Sequence, residues 1–362
     1  NYLTNTTRNM MFDPQNINER LGWSSVQSHK GFEQETGQLY WPYHNGANGN
    51  YRAILIQLPY HFTGVALTNS TMYLASESAG NNVSTNDYLV DVIMEAFYEA
   101  THSRPLTEVV RHGIPEKDYQ ADFNIIRKSG YYPVWVDGYD VAGKTFFNAI
   151  FRYNSNKYEV VARHHMSKEG YQREYNEWVK TKGYRLLHLD NYLYKRKIYY
   201  AAIFILRPGN AMTQPAYHAQ TAKQHQALFE KYTEDGFVPV NVSVVSSGDK
   251  LSYSAFYEKK NVGGAVLKSI LSQTEYQDKF EEMKKKKWEQ VYINAYHHKG
   301  ATRFSVIWYE KPGEVSYAAI RKSSEESYLK HYDTYTGKGL KTQCITGYDE
   351  GGKHWYAALW SE

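Results

Sequence analysis

From Ser103-Arg104-Pro105 onward, apolar and polar positions recur in one order. A short apolar strand leads into a polar stretch carrying two aromatics four residues apart. Two longer strands follow, joined by a polar or glycine-bearing tip. A Gly followed by an aromatic opens the second strand at Gly130-Tyr131, Gly183-Tyr184 and Gly236-Phe237, at spacings of 53 and 53. Lys287-Trp288 and Gly339-Leu340 continue the series at 51 and 52. Seventeen residues after each Gly or Lys stands Phe147, Tyr200, Tyr253, Phe304 or Tyr356, with a small-then-apolar pair behind it, as in Ala149-Ile150 and Ala202-Ile203. Agreement of several columns over five copies identifies internal repeats of about 52 residues.

Each copy reads as β-α-β-β. The aromatic pairs Tyr119/Phe123, Tyr171/Tyr175, His225/Phe229, Tyr276/Phe280 and Tyr328/Tyr332 have the spacing of one buried helical stripe. Ser167 and Ser272 stand at N-cap positions, and the Gly at the far end suits a left-handed residue after the helix. Lys287 departs from that column and implies local strain or a different helix end. Short strands at 108–111, 158–163, 216–218, 266–268 and 316–321 precede the helices. One such unit cannot bury its own apolar face, so the pattern predicts stacked repeats forming one curved antiparallel sheet with helices on one face.

These repeats resemble the tandem-repeat domain found beside serine hydrolase domains in bacteria and fungi, including the amino-terminal region of fungal polyglycine hydrolases. The likeness covers 104–362. It rests on the openings Gly130-Tyr131-Tyr132-Pro133-Val134 and Gly236-Phe237-Val238-Pro239-Val240, and on the closing strands at 200–204 and 356–360. It implies a curved, half-barrel-like accessory domain without catalytic residues.

Residues 1–103 read differently. Strands are expected near 21–25, 38–44, 51–58 and 63–68, with a glycine-punctuated turn over 44–49. A helix follows over 87–100, with Leu89, Ile93, Phe97 and Ala100 on its apolar face. This order resembles the carboxy-terminal portion of class C β-lactamase-like serine hydrolases, through Leu21-Gly22-Trp23, His44-Asn45-Gly46 and Val65-Ala66-Leu67-Thr68-Asn69. The resemblance implies that His44 and Gly46 line an active site, and that the Ala47 N–H is an oxyanion-hole donor. That family also needs an upstream Ser-x-x-Lys nucleophile, and no such match precedes His44. The later matches, Ser247-Gly248-Asp249-Lys250 and Ser327-Tyr328-Leu329-Lys330, fall on a hairpin tip and a repeat helix and read as chance. A missing amino-terminal segment or a second chain would therefore complete the sheet, pairing with the unprotected edge at 63–68. The fold class expected is α+β, a partial antiparallel sheet with a helix followed by the five repeats.

Composition narrows the function. With 42 Lys+Arg against 38 Asp+Glu, the +4 net charge carries no nucleic-acid footprint, and no apolar run is long enough to span a membrane. One cysteine, Cys344, excludes a disulfide framework. Tyrosine is abundant, 35 residues, which suits half-wet sheets and stacking against a peptide or polysaccharide. Asn-x-Ser/Thr triplets at Asn5, Asn69, Asn82 and Asn241 point to a secreted glycoprotein. His164-His165 and His297-His298 invite a metal, yet neighbours on a strand face opposite ways and lack regular partners, so neither metal nor cofactor is expected. The cations before each helix, Arg111, Arg163, His218, Lys268 and Arg321, read as strand ends packed on tyrosines. Two functions follow: the carboxy-terminal part of a secreted peptidase or esterase whose repeats bind substrate, or a non-catalytic binding module with a hydrolase remnant.

Overall fold

The computed structural model describes residues 107–206, 213–310 and 317–362, and from the first hundred six strands and helical residues 90, 93, 94 and 96–98. The chain divides into two compact units, one of Asn1–Leu106 with Asn124–Ser129, the other of Thr107–Phe123 with Gly130–Glu362.

In the first unit, β1 (Ser24–Gln27), β2 (Tyr40–Asn48), β3 (Tyr51–Gln57) and β4 (Thr63–Asn69) form an antiparallel sheet in the order β1-β2-β3-β4. A small hairpin, β5 (Tyr73–Ala75) and β6 (Asn82–Ser84), lies apart from that sheet. Ile54 and Ile56 are buried, while Leu55 and Val65, cross-strand partners on the opposite face, are exposed. Two expectations are corrected here. His44-Asn45-Gly46 is not a turn: β2 runs on to Asn48, and the β3 ladder pairs His44 with Leu55, Gly46 with Ala53 and Ala47 with Arg52. The helix buries Val90 and Met94, while Ile93 and Phe97 are only half-buried, so its inner stripe lies one residue beyond the expected one. Leu89 and Ala100 lie outside the described residues.

The second unit is five copies of one plan. The first repeat is β7 (Glu108–Pro115), α1 (Glu116–Lys128), β8 (Tyr131–Val141) and β9 (Lys144–Tyr153). The second is β10 (Glu159–Met166), α2 (Lys168–Tyr175), β11 (Arg185–Tyr194) and β12 (Lys197–Leu206). The third is β13 (Ala216–Gln220), α3 (Ala222–Glu234), β14 (Val238–Ser247) and β15 (Lys250–Glu258). The fourth is β16 (Ala265–Leu271), α4 (Gln273–Lys285), β17 (Glu289–His298) and β18 (Ala301–Tyr309). The fifth is β19 (Tyr317–Ser323), α5 (Glu325–Gly337), β20 (Lys341–Glu350) and β21 (Lys353–Ser361). In every repeat the last strand is the middle of a three-stranded antiparallel sheet, with the pre-helix strand on one side and the post-helix strand on the other.

The repeated columns have physical roles. The helical aromatic packs against the middle-strand aromatic in all five copies, stacked in Tyr119–Phe147, Tyr171–Tyr200 and His225–Tyr253 and tilted in Tyr276–Phe304 and Tyr328–Tyr356, at centroid distances of 4.4 to 5.6 Å. Ser167 and Ser272 accept from the backbone N–H of Gly170 and Glu275, and Thr221 and Ser324 cap their helices likewise. Lys287 adopts the left-handed conformation of the glycines in its column, at φ 59 against 85, 73, 79 and 86 for Gly130, Gly183, Gly236 and Gly339. It takes the strained course rather than a different helix end. Each pre-helix strand extends past its expected end through a β-bulge, at Arg111/Ile114 in the first repeat and the matching place in the others.

The expected single curved sheet, and with it the half-barrel, is not what forms. The five sheets stay separate. Their post-helix strands pack side by side in the cyclic order β8, β11, β14, β17, β20 and back to β8, so the first and last repeats meet. Backbone ladders do not join neighbours because side chains occupy the facing N–H and C=O groups.

The closure leaves no room at two points. A Cβ on Gly347 would fall 2.4 Å from the Tyr139 ring, and one on Gly138 the same distance from Tyr192. Gly347→Ala is therefore expected to destabilise by about 1–3 kcal/mol through overpacking. Gly337→Ala, with open space around it and an ordinary φ, should stay within about 0.5 kcal/mol. Urea denaturation of the full chain compares the two.

Candidate binding site

The inner strands build the site in layers, counted from the residue that opens each: Tyr131, Tyr184, Phe237, Trp288 and Leu340. The fourth residue onward is Trp135, His188, Asn241, Tyr292 or Cys344, and each engages the preceding repeat. Trp135 Nε1 donates to Ile345 O (2.7 Å), and His188 Nε2 lies 2.7 Å from Val136 O. Asn241 accepts from Leu189 N (2.9 Å) and donates to Leu189 O (2.8 Å). Tyr292 and Cys344 take up the Val242 and Ile293 backbones. Trp135 also lies 5.5 Å from the Tyr292 ring, although their repeats are not neighbours, so these side chains fill the axis.

The sixth residue makes a second ring. Asp190 accepts from Gly138 N (2.8 Å), Ser243 from Asn191 N (3.0 Å), Asn294 from Val244 N (2.9 Å), Thr346 from Ala295 N (3.2 Å) and Asp137 from Gly347 N (2.9 Å). All five are buried. Each satisfies an N–H that would otherwise be stranded in the interior. The last contact, from the fifth repeat to the first, has the same form as the other four and closes the ring. Glu108 reinforces the seam by accepting from the Thr342 N–H and Arg152, while Arg152 also donates to Thr342 O.

Burial raises the carboxyls in this layer. Asp137 is pushed up to about 7, with Gly347 N–H, Thr346 and Asn148 pulling the other way. Asp190 is also raised well above the usual carboxylate range, by burial and then by the Asp137 charge. Ser243 Oγ accepts from Asn191 N (3.0 Å) and donates toward Asp190 Oδ1 (2.6 Å) and Asn191 Oδ1 (2.5 Å).

The eighth residue, Tyr139, Tyr192, Val245, Tyr296 or Tyr348, forms the wall above. The tyrosine hydroxyls are tied to bulges or the seam: Tyr192 OH accepts from His165 N (2.9 Å), Tyr296 OH donates to Ser269 O (2.6 Å) and Tyr348 OH to Arg321 O (2.8 Å). Tyr139 OH meets His354 Nδ1 (3.0 Å) and Tyr356 OH (3.3 Å). Between these walls and the hairpin tips lies a cavity of about 420 Å³ to which all five repeats contribute. Asn294 is the one member of the polar ring that lines it, and Asp140, Asp349, His297 and Lys299 reach it from the tips.

The other expected site residues do not converge here. His44, Gly46 and Ala47 belong to β2 of the first unit. Asn5 lies outside the described residues, and Asn69 and Asn82 end β4 and begin β6. Asn241 is corrected: its side chain is buried and both ends of its amide are bonded to Leu189, so it cannot carry a glycan in the folded ring. Ser247 and Lys250 close the β14–β15 hairpin, and Lys330 Nζ pairs with Glu326 at 2.7 Å. The expectation that His164 and His165 diverge also fails, because His165 adopts φ 53 in the bulge and the two rings lie 4.8 Å apart. His164 packs edge-on against Tyr119 and is held down at about 4 by burial. Among the described residues no three His, Cys, Asp or Glu side chains are placed to hold a metal, and no helix is long and apolar enough to cross a membrane. The pre-helix cations serve the scaffold: Arg111 pairs with Asp122 (3.4 Å), Arg163 with Glu174 (3.2 Å), and Arg321 with Gln277 of the previous repeat.

The fourth-, sixth- and eighth-residue layers were not legible beforehand, since Trp, His, Asn, Tyr and Cys in one column share no hydropathy. The signal available was positional, namely a polar residue six places after every opening.

A closed ring of β-α-β-β units with an axial cavity defines a repeat protein whose sheets radiate from a common centre. The chain belongs to the polyglycine hydrolase-like structural repeat family, whose model matches residues 106–154, 159–205, 214–260, 271–311 and 314–362, one segment per repeat. A search of curated proteins finds no match to this chain.

Two outcomes test this layer. Burial holds His188 near 3, well under the 6.5 of an unfolded chain, so it folds neutral and its stabilising share is lost as pH falls below 6.5. Between pH 7 and 5 the loss attributable to this residue is about 2 kcal/mol. His188→Asn keeps a donor for Val136 O, as Asn241 does for Leu189, and should flatten the pH dependence by that amount in urea titrations. Produced through a secretory host, the folded protein should show no glycan at Asn241 in peptide mass mapping.

Proposed function

We propose that the repeat ring is a non-catalytic binding module whose axial cavity is the binding site. The observation that supports this best is that the cavity is lined from all five repeats at equivalent positions, with the tyrosine hydroxyls committed to the scaffold and free polar groups left only at floor and rim. Concave sites with a few convergent polar groups are where small ligands bind. The buried acids of the sixth-residue layer lie in the scaffold, each turned toward a neighbouring backbone, which makes them structural.

A second reading draws on the first unit. Its β1-β2-β3-β4 order, the His44-Asn45-Gly46 triplet in β2 and the exposed Leu55/Val65 pair fit the carboxy-terminal portion of a β-lactamase-like serine hydrolase. On this reading residues 1–103 and 104–362 are separate domains of a secreted enzyme. A segment outside this sequence, or a second chain, supplies the nucleophile and pairs with β4, and the ring positions a peptide or polysaccharide substrate. His44 and the Ala47 N–H would then serve acyl transfer.

Labelling of the native protein with a fluorophosphonate probe separates the readings. The binding-module reading expects no modified serine within 107–362, Ser247 and Ser327 included. A labelled serine in an associated chain would support the hydrolase reading for the first unit. Modification of Ser247 or Ser327 would overturn the view that the ring is non-catalytic.

A further inference from the structure

The cavity's charges are not evenly spread. Asp140 and Asp349 reach it from the tips of the first and fifth repeats, which are neighbours in the ring. Ala142 N donates to Asp349 Oδ2 (2.9 Å), linking those two tips and fixing the pair on one arc of the rim. Each carboxylate is also held by its own turn, Asp140 Oδ1 by Gly143 N (3.0 Å) and Asp349 Oδ1 by Gly352 N (2.8 Å). Their orientation therefore does not depend on a ligand. Burial, then the Asp349 charge, raises the Asp140 carboxyl, as expected of an acid pair without a counter-cation. His297 and Lys299, both exposed, enter from the fourth repeat, which adjoins the fifth but not the first.

The floor adds a directional donor. Asn294 is only 5% exposed and lines the cavity, and its Oδ1 is taken by Val244 N. Among the described residues no hydrogen bond takes up its Nδ2, so this amide donor can reach an acceptor in the cavity.

Resting on the binding-module reading, we propose that the axial cavity binds a small zwitterion of the amino-acid or short-peptide class. The ligand's ammonium group faces Asp140 and Asp349, and its carboxylate or terminal carbonyl accepts from Asn294 Nδ2 and pairs with Lys299. Charge-assisted hydrogen bonds at both ends give the specificity. A cavity of about 420 Å³ lies toward the small end of ligand pockets and suits a molecule of dipeptide size.

Calorimetric titration of the full chain with alanylalanine, N-acetyl-alanylalanine, alanylalaninamide and maltotriose tests this. Alanylalanine should bind, and acetylation should weaken it at least tenfold. Asp140→Asn keeps the acceptor for Gly143 N, so it should preserve the thermal midpoint while weakening alanylalanine at least tenfold. Lys299→Gln should weaken alanylalanine while leaving alanylalaninamide unchanged. Equal binding of the free and acetylated peptides, or binding of maltotriose alone, would overturn the zwitterion assignment and leave the binding-module reading standing. Failure of all four compounds to bind at millimolar concentration would count against both. A zwitterion that binds Asp140→Asn and the parent equally well would place the site elsewhere and reject the axial cavity.

Discussion

A side chain from one repeat bonded to the backbone edge of the next is the interaction on which the ring depends. An exposed strand edge offers N–H and C=O groups that must find partners, and five inner strands with bare edges would pair promiscuously. Here the sixth residue of each inner strand takes an N–H of the preceding repeat and the fourth engages the adjoining peptide. The bridge holds neighbouring backbones apart by the length of a side chain, so the sheets stay separate. Because it uses one side chain per repeat, Asp, Ser, Asn and Thr all serve. Closure needs no special device beyond Asp137 reaching Gly347, with Glu108 and Arg152 bracing the seam.

The cavity is a consequence of that spacing. Where the fourth residues are bulky, Trp135, His188 and Tyr292 meet and plug the axis. Where the eighth residues follow, their hydroxyls are drawn outward to the bulges of the pre-helix strands, and the space on the axis stays open. The left-handed backbone at Gly113, His165 and Ala219 belongs to these bulges, so an irregularity in one strand sets the wall of a cavity formed by another. Above these layers Asp140, Asp349 and Lys299 of the hairpin tips line the cavity, and the first and fifth tips are linked by Ala142 N donating to Asp349 Oδ2.

In the repeat ring, the buried titratable groups Asp190, His188 and Cys344 are bonded to the backbone or side chains of neighbouring repeats. Burial raises Asp190, which accepts from Ser243, holds His188 down so that it stays a neutral donor, and pushes the Cys344 thiol up to about 12. Each perturbation follows from replacing a backbone ladder with buried polar side chains. Histidine and cysteine in such columns look reactive when met singly, and their equivalents Trp135, Asn241 and Tyr292 show the shared role.

The periodicity alone determined the number of repeats, their β-α-β-β order, the helix caps at Ser167 and Ser272 and the aromatic columns of helix and strand. These are local or within-unit relations, written as fixed spacings of 4 and 17 residues. For Lys287 the column left local strain or a different helix end open, and the structure decided for the left-handed backbone. The ring, its closure and the cavity were decided only in the tertiary structure. Whether stacked units share one curved sheet or stand as separate sheets depends on which groups satisfy the inner edges, and Trp135, His188, Asn241, Tyr292 and Cys344 have no common property in the sequence. The same blindness made Asn241 look like a glycan acceptor: the triplet is a local pattern, and its burial against Leu189 belongs to the neighbouring repeat. Short-range spacing is inscribed in the chain, while contacts about 52 residues apart exist only once the units have packed.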